Sequence, residues 1–146
     1  MSPSASALAA VNVRAAGLEA VTMVESDLFA AVEGELDLVI ANPPYLVDAE
    51  HRTYRDGGGA RGTDLAERIV REGLPRLAPG GRLVLYTGVP IVDGRDPFRD
   101  AIAPLLTGVR ARYRELDPDV FGEELERPAY ADVERIAAVA LVVDRD

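Results

Sequence analysis

Cysteine and lysine are both absent from these 146 residues, and histidine occurs once. Without cysteine the chain can form neither disulfides nor thiolate metal sites, which fits a reducing compartment. The sequence has no run of 18 apolar residues, and residues 1–20 lack the basic start and apolar centre of a signal peptide. We therefore expect a cytoplasmic protein with no membrane partner. All 16 basic residues are arginine, which is typical of a GC-rich bacterial genome.

Positive charge is scarce as well. The chain has 25 acidic and 16 basic side chains, a formal net charge of -9. A protein that neutralises phosphates needs a basic face, so this composition disfavours nucleic acid as the substrate. Arg110, Arg112 and Arg114 alternate along an expected strand, and we interpret them as a solvated strand face. The length corresponds to a single domain, residues 1–146, with a real core.

The most informative stretch is Leu36 to Tyr45, LDLVIANPPY. Apolar residues dominate its first six positions, which predicts a strand buried on both faces of a parallel sheet covered by helices. Pro43 and Pro44 have no amide hydrogen, so the strand must end there and the backbone beyond it is stiff. Open α/β sheets bind their ligands at this end of the strands. The alternative is a strand end followed by an ordinary proline turn.

Asn42 and Pro43 can together hold a planar NH2 group, because the side-chain carbonyl of Asn42 and the main-chain carbonyl of Pro43 are both acceptors. The nitrogen of a carboxamide or of a base amine is a poor nucleophile, since its lone pair is delocalised. Orienting it toward an electrophile and stabilising the positive charge that develops on it addresses that difficulty. Tyr45 offers an aromatic face to the flat group, and Pro44 keeps the geometry rigid.

This pattern resembles the class I S-adenosylmethionine-dependent methyltransferases that act on amino groups. Within them it is most similar to the protein-glutamine N5-methyltransferases of release factors and to the methyltransferase small domain proteins. The resemblance covers residues 2–110 and includes, in the family's order, SDLF at 26–29, GGG at 57–59, GTD at 62–64 and LAPGG at 77–81. It implies an α/β, Rossmann-like doubly wound fold with a mostly parallel sheet and an antiparallel edge strand.

The resemblance also implies S-adenosyl-L-methionine as the cofactor and a catalytic role for the whole Asn42-Pro43-Pro44-Tyr45 motif. Asp27 and Leu28 would then line the adenine end of the cofactor, with Asn42 close to the transferred methyl group. The alternative for Asp27 is a turn residue or a helix N-cap. No metal site is implied.

One part of the family pattern is missing. The first β-α-β unit, with its glycine-rich cofactor loop and its acidic ribose-binding strand end, is expected before Met1. The chain therefore resembles a methyltransferase lobe that is either truncated or completed by a partner, and we expect the lobe alone to be inactive. A sheet without its central strands exposes apolar edges, which predicts self-association.

Residue patterns predict the remaining elements. Helices are expected at 2–16, with Gly17 as the C-cap, from 64 to Pro75 and at 96–106. Strands are expected at 20–25, 82–88, 109–116 and 135–143, and the family resemblance implies that the last two pair antiparallel. Residues 46–63 form a loop on the substrate side, because loops this long in a small domain are usually functional. The acidic insertion 117–133 either flanks the acceptor pocket or is solvated, and the second reading is favoured.

Two other features of the 46–63 loop are weak candidates for a ligand-binding or catalytic role. The lone His51 has no second histidine or cysteine beside it, so we interpret it as a surface residue rather than a ligand. The glycines at 57–59 and 62 follow no strand and lack the ending of a phosphate-binding loop, so we interpret them as a hinge.

The function predicted from the sequence is methyl transfer to a planar amino group, with a glutamine side chain of a protein as the first-choice acceptor. An adenine amine in nucleic acid is the second choice. An inactive fragment or paralogue that acts as a binding module is the non-enzymatic alternative. A nicotinamide-dependent oxidoreductase ranks last, because it requires the glycine fingerprint that the chain lacks.

Overall fold

A computed structural model describes residues 3–52 and 54–146 of the chain. It divides into two compact units, Met1–Gly34 and Glu35–Asp146. The first unit contains the helix α1 (Pro3–Ala15), and the second combines helices with a β-sheet. The α/β class predicted from the sequence is therefore confirmed.

Helix α1 ends at a glycine in the left-handed conformation. Gly17 has a φ of 64°, the amide of Leu18 donates to the carbonyl of Val13 at 3.1 Å, and the amide of Gly17 donates to that of Arg14 at 3.1 Å. These two bonds define a Schellman cap, in which glycine is preferred because it has no Cβ. The predicted helix and its C-terminal cap are confirmed.

Residues 20–25 do not form the predicted strand but are irregular. A strand is stabilised by hydrogen bonds to a neighbouring strand, and no strand in the described part of the chain pairs with this segment. The side chains of Val21, Met23 and Val24 are between 40% and 45% exposed. The prediction was wrong because the apolar pattern of a segment does not show whether its backbone has a neighbouring strand to pair with.

Four strands form one sheet in the second unit, in the order β1-β2-β4-β3. They are β1 (Leu36–Ala41), β2 (Leu77–Ile91), β3 (Arg110–Asp117) and β4 (Arg135–Asp144). β1 is parallel to β2, whereas β4 is antiparallel to both β2 and β3. The antiparallel pairing of the last two strands is confirmed. The sheet of the described residues is mixed rather than mostly parallel, because no further parallel strand forms beside β1.

The two helices of this unit, α2 (Asp64–Gly73) and α3 (Pro97–Ile102), both give way to short 3₁₀ turns. Pro75 and Pro104 lie in these turns, where a proline removes the amide that a continuing α-helix needs. Asp96 begins α3 as its N-cap, and its side chain accepts from the amide of Arg99 at 2.9 Å. None of the helices in residues 3–52 and 54–146 has the length and apolar character that crossing a membrane requires.

The core lies around the two central strands, β2 and β4, and α2 and α3 both pack against β2. Its fully buried large side chains include Leu83, Leu85, Val89, Leu141, Val143, Val70, Phe98 and Ile102. β1 is less buried than its sequence predicts, since Val39 is 8% exposed but Leu38 and Ile40 are 53% and 74% exposed. The prediction of burial on both faces was wrong because β1 is the outermost strand and one of its faces is uncovered.

Replacing Phe98 by alanine tests this core. Phe98 is 1% exposed on α3, so Phe98→Ala should lower the free energy of unfolding by about 3–5 kcal/mol. Leu116→Ala, at a position on β3 that is 51% exposed, is the control and should change it by less than about 0.5 kcal/mol. Urea denaturation followed by circular dichroism measures both, and equal effects would contradict the location of the core.

Candidate functional site

The Asn-Pro-Pro-Tyr turn lies at the mouth of a cavity of about 260 Å³. The cavity is lined by Asn42, Pro43, Pro44, Tyr45, Leu46, Tyr54, Arg55 and Phe121. β1 ends just before this turn, so the four residues follow the carboxyl end of the strand, as predicted. Asn42 is exposed and Pro43 is buried. Both residues line the cavity, and their role as acceptors of a planar NH2 group stays a prediction.

The ring of Tyr45 is held by three neighbours. Its centroid is 6.3 Å from that of Tyr86 at an interplanar angle of 70°, and 5.8 Å from that of Phe121 at 52°. Gly88 lies beneath it, where a Cβ would collide with the Cδ2 and Cε2 atoms of the Tyr45 ring. Burial and the neighbouring Tyr86 raise the pKa of the Tyr45 hydroxyl. The site therefore presents a neutral, fixed aromatic ring.

Two glycines bring the long loop against the backbone of the proline turn. A Cβ on Gly57 would come within 2.7 Å of the carbonyl oxygen of Pro44, and one on Gly62 within 2.6 Å of that of Tyr45. The loop closes on itself there, since the amide of Gly57 donates to the carbonyl of Leu46 at 2.9 Å. Such close approach requires glycine. These positions are close-packing contacts, not the hinge expected from the sequence.

A buried carboxylate organises the loop that carries Tyr54 and Arg55. The side chain of Asp48 is 1% exposed and accepts from Nε and Nη2 of Arg52 at 2.8 and 2.6 Å, a bidentate pair. The hydrogen bonds from Arg52 hold the pKa of the Asp48 carboxyl well below its usual range. Arg55 lies alongside, with its Nε 3.9 Å from the Asp48 carboxylate.

His51 is on the surface, as predicted. Its side chain is 84% exposed, and its Nδ1 lies 2.7 Å from a carboxylate oxygen of Asp56. That interaction with His51 is the main reason why the pKa of Asp56 is lowered. Among the residues that the structure describes, no cluster of three or more histidine, cysteine or acidic side chains could hold a metal ion.

The acidic segment 117–133 is anchored against this site rather than solvated. Tyr130 is 1% exposed and packs with Leu46 and Ile136 in one cluster. Phe121 lines the cavity, and Glu124, 5% exposed, pairs with Arg55. Of the two readings of this segment, the one in which it flanks the pocket is supported.

Sequence reasoning missed the contributions of Arg55, Glu124 and Gly88. The pair between Arg55 and Glu124 joins residues 69 positions apart, which no local pattern encodes. Gly88 belongs to the long strand β2 and gave no turn signal in the sequence. Phe121 and Tyr130 stood out only as apolar positions within an acidic segment.

The two residues expected at the cofactor lie in the first unit. Residues 27–30 form a turn in which the amide of Ala30 donates to the carbonyl of Asp27 at 3.1 Å. Leu28 has a φ of 49°, and the hydroxyl of Ser26, not Asp27, accepts from the amide of Ala31 at 2.8 Å. Asp27 is therefore a turn residue here, and its part in binding adenine stays a prediction.

The described residues offer suitable binding groups for only one end of an adenosyl cofactor, its adenine end. A carboxylate such as that of Asp27 can accept from the exocyclic amine of adenine, and Leu28 can pack on its ring. No described glycine loop of the G-x-G type follows a strand to receive the rest of the molecule.

A larger cavity, of about 390 Å³, lies beside α3. Internal contacts occupy its polar groups: the hydroxyl of Tyr113 donates to Asp96 at 2.5 Å, and Arg135 pairs with Glu115 at 3.0 Å. Burial, followed by the contact with Asp96, raises the pKa of Tyr113. These contacts join α3 to β3 and β3 to β4, and we assign this region a structural role.

Asp48 makes the stability of the loop dependent on pH. Because its pKa is lowered in the folded protein, its stabilising contribution is complete above the ordinary value of about 3.9 and is lost as the pH falls below it. Asp48→Asn should therefore destabilise the protein at pH 7, and the destabilisation should be clearly smaller near pH 2. Urea unfolding at both pH values measures this.

Glu50→Gln is the matched control for Asp48→Asn. Glu50 lies 3.5 Å from the same arginine, but its side chain is 74% exposed, and exposed ion pairs contribute little. Glu50→Gln should change the free energy of unfolding only slightly at pH 7. A loss of stability in Asp48→Asn that is the same at both pH values would show that the carboxylate charge is not the cause.

Comparison with known proteins identifies the family to which the chain is related. The family model described as "methyltransferase small domain" matches residues 1–89. A release factor glutamine methyltransferase of Deinococcus radiodurans is 36% identical over 134 residues, which cover 85% of this chain and 45% of the relative. A ribosomal protein uL3 glutamine methyltransferase of Neisseria meningitidis is 36% identical over 93 residues, covering 56% and 30%. The chain thus spans half or less of the length of these relatives.

Solved structures give the same fold. A tRNA m1G37 methyltransferase of M. jannaschii superposes with a TM-score of 0.56 and 17% identity, covering 99% of this chain and 35% of that one. At this identity the likeness concerns the fold alone. The matched family region contains β1, the Asn-Pro-Pro-Tyr turn, α2 and most of β2, together with seven of the eight residues that line the cavity. The chain belongs to the methyltransferase small domain family.

Proposed function

We propose that this chain provides the acceptor side of an S-adenosylmethionine-dependent N-methyltransferase whose substrate is a glutamine side-chain amide of a protein. The observation that carries the proposal is the exposed Asn42 beside Pro43 at the mouth of the Tyr45 cavity. The relatives named as glutamine methyltransferases support the choice of acceptor.

The chemistry rests on two oxygen acceptors. The side-chain carbonyl of Asn42 and the main-chain carbonyl of Pro43 accept the two hydrogens of the amide NH2 group. This orients the nitrogen toward the incoming methyl group and stabilises the positive charge that develops on it. Tyr45 supports the plane of the amide, while Pro44 restricts the backbone between the acceptor and the ring.

S-adenosylmethionine, when bound, supplies the electrophilic methyl group. On this chain Asp27 and Leu28 would contact its adenine end, and Asn42 would lie near the methyl group. The residues of this chain otherwise act by orienting the acceptor and by shaping the cavity around it. Nothing in this scheme requires a side chain to remove a proton before the methyl group is transferred.

Charge favours a protein over a nucleic acid as the acceptor. Arg55 is the charged residue among those that line the cavity, and it is already paired with Glu124. The neighbouring segment 117–126 adds exposed acidic side chains at Asp117, Asp119, Glu123 and Glu126. A phosphate backbone would therefore meet negative charge beside the cavity, which weakens nucleic-acid binding.

Binding of a small amide tests the acceptor site without requiring turnover. The peptide acetyl-Ala-Gln-Ala-amide should shift the NMR signals of the Asn42 and Tyr45 side chains on titration. The matching glutamate peptide, which lacks the NH2 group, should not. Asn42→Ala should weaken glutamine-peptide binding by about 2- to 13-fold, the worth of one hydrogen bond of about 0.5–1.5 kcal/mol.

Asn12→Ala is the matched control, because Asn12 is an exposed asparagine on α1, outside the Glu35–Asp146 unit. It should bind the glutamine peptide as the wild type does. The proposal fails if the wild type does not distinguish the glutamine peptide from the glutamate peptide.

A further inference from the structure

One wall of the acceptor cavity comes from outside the region that the family model matches. Phe121 belongs to the acidic segment after β3, whereas the matched region ends at residue 89. Its half-buried ring faces that of Tyr45 with 5.8 Å between centroids and 52° between planes. The two rings are therefore in contact at an angle rather than in a flat stack. Both residues line the cavity, so part of each aromatic surface borders it.

The backbone around Phe121 is fixed on both sides. The amide of Val120 donates to the carbonyl of Ile136 at 2.9 Å, which ties the segment to the start of β4. The amide of Glu124 donates to the carbonyl of Phe121 itself at 2.9 Å and begins a 3₁₀ turn, Gly122–Glu126. Phe121 thus lies between a contact with the sheet and a short helical turn.

Glu124 connects this turn to the loop on the other side of the cavity. Its carboxylate is almost completely buried, pairs with Arg55 and lies 2.8 Å from the Nε of Arg127. Removing one partner of a buried ion pair is costly, because the other charge is left without compensation. Arg55 lines the cavity and Glu124 lies three residues after Phe121, so this pair links the two walls of the cavity.

Tyr130 makes a second connection between the same two elements. Its hydroxyl oxygen accepts from the amide of Val47 at 2.8 Å, and its ring is 1% exposed against Leu46 and Ile136. Burial raises the pKa of this hydroxyl, which keeps it neutral. The loop and the acidic segment are therefore joined at two points on the same side of the cavity.

We propose that Phe121 is a specificity-determining residue that contacts the aliphatic stem of the acceptor, with Glu124 and Tyr130 as the positioning residues that hold it. This rests on the proposed function. A glutamine side chain whose amide binds Asn42 has two methylenes between that amide and its backbone. The ring of Phe121, which lies beside Tyr45 in the lining of the cavity, is an apolar surface that these methylenes can contact. An asparagine side chain is one methylene shorter and would lose that contact. Phe121 therefore selects glutamine over asparagine.

The test compares three peptides, acetyl-Ala-Gln-Ala-amide and its asparagine and glutamate counterparts, by NMR titration of the full chain. The wild type should bind the glutamine peptide at least about 10-fold more tightly than the asparagine peptide, the usual worth of a methylene in an apolar contact. Phe121→Ala should lose this preference and still reject the glutamate peptide. Phe121→Leu, which keeps an apolar side chain, should restore most of the preference.

A separate measurement tests whether Glu124 and Tyr130 position the ring of Phe121. Glu124→Gln and Tyr130→Phe should weaken the nuclear Overhauser effect between the rings of Tyr45 and Phe121 and reduce the preference for glutamine. Combining Glu124→Gln with Phe121→Ala should reduce the preference no further than Phe121→Ala alone, because Glu124 acts through Phe121. Leu116→Ala, on the exposed face of β3, should leave both measurements unchanged.

The outcomes separate this inference from the proposed function. If Phe121→Ala keeps the wild-type preference for glutamine over asparagine, the inference is overturned while the acceptor site stands. If the wild type binds the glutamine and glutamate peptides equally, or binds neither, both are overturned. Urea denaturation of each variant identifies any that fail to fold, and Phe121→Leu then decides the question by keeping or reducing the preference.

Discussion

The end of β1 imposes the main constraint on this molecule. Two successive prolines cannot extend the hydrogen-bond ladder, so the chain must leave the sheet at Asn42. Gly57 and Gly62 then bring the backbone of the following loop against the carbonyls of Pro44 and Tyr45, closer than any side chain would allow. Close packing against these glycines therefore restricts the backbone at Pro44 and Tyr45.

The strand β2 supports this arrangement because it is longer than its parallel neighbour. β1 ends where Ala41 lies opposite Leu85, whereas β2 continues to Ile91 and pairs with β4 along that extension. The extension brings Tyr86 and Gly88 to the ring of Tyr45. The part of β2 that pairs with β4 alone thus supports the ring of Tyr45.

The sequence predicted the parts of the fold that depend on local chemistry. The turn after β1 and the glycine cap of α1 follow from patterns within a few residues, whereas the antiparallel pairing of β3 with β4 was implied by the family resemblance. The strand expected at 20–25 and the two-sided burial of β1 were wrong, because both depend on which neighbours the segments have. The pair between Arg55 and Glu124 could not be predicted from the sequence for the same reason, since it forms only when distant segments pack together.

The loop after the proline turn combines closely packed positions with exposed side chains. Close packing fixes the glycines near its return to α2, whereas the side chains of His51 and Tyr54 are 84% and 74% exposed. Substitutions at these two exposed positions can therefore accumulate while Asp48, Arg55 and the glycines still hold the loop in place. The surface of the loop can thus diverge among related proteins faster than its backbone conformation.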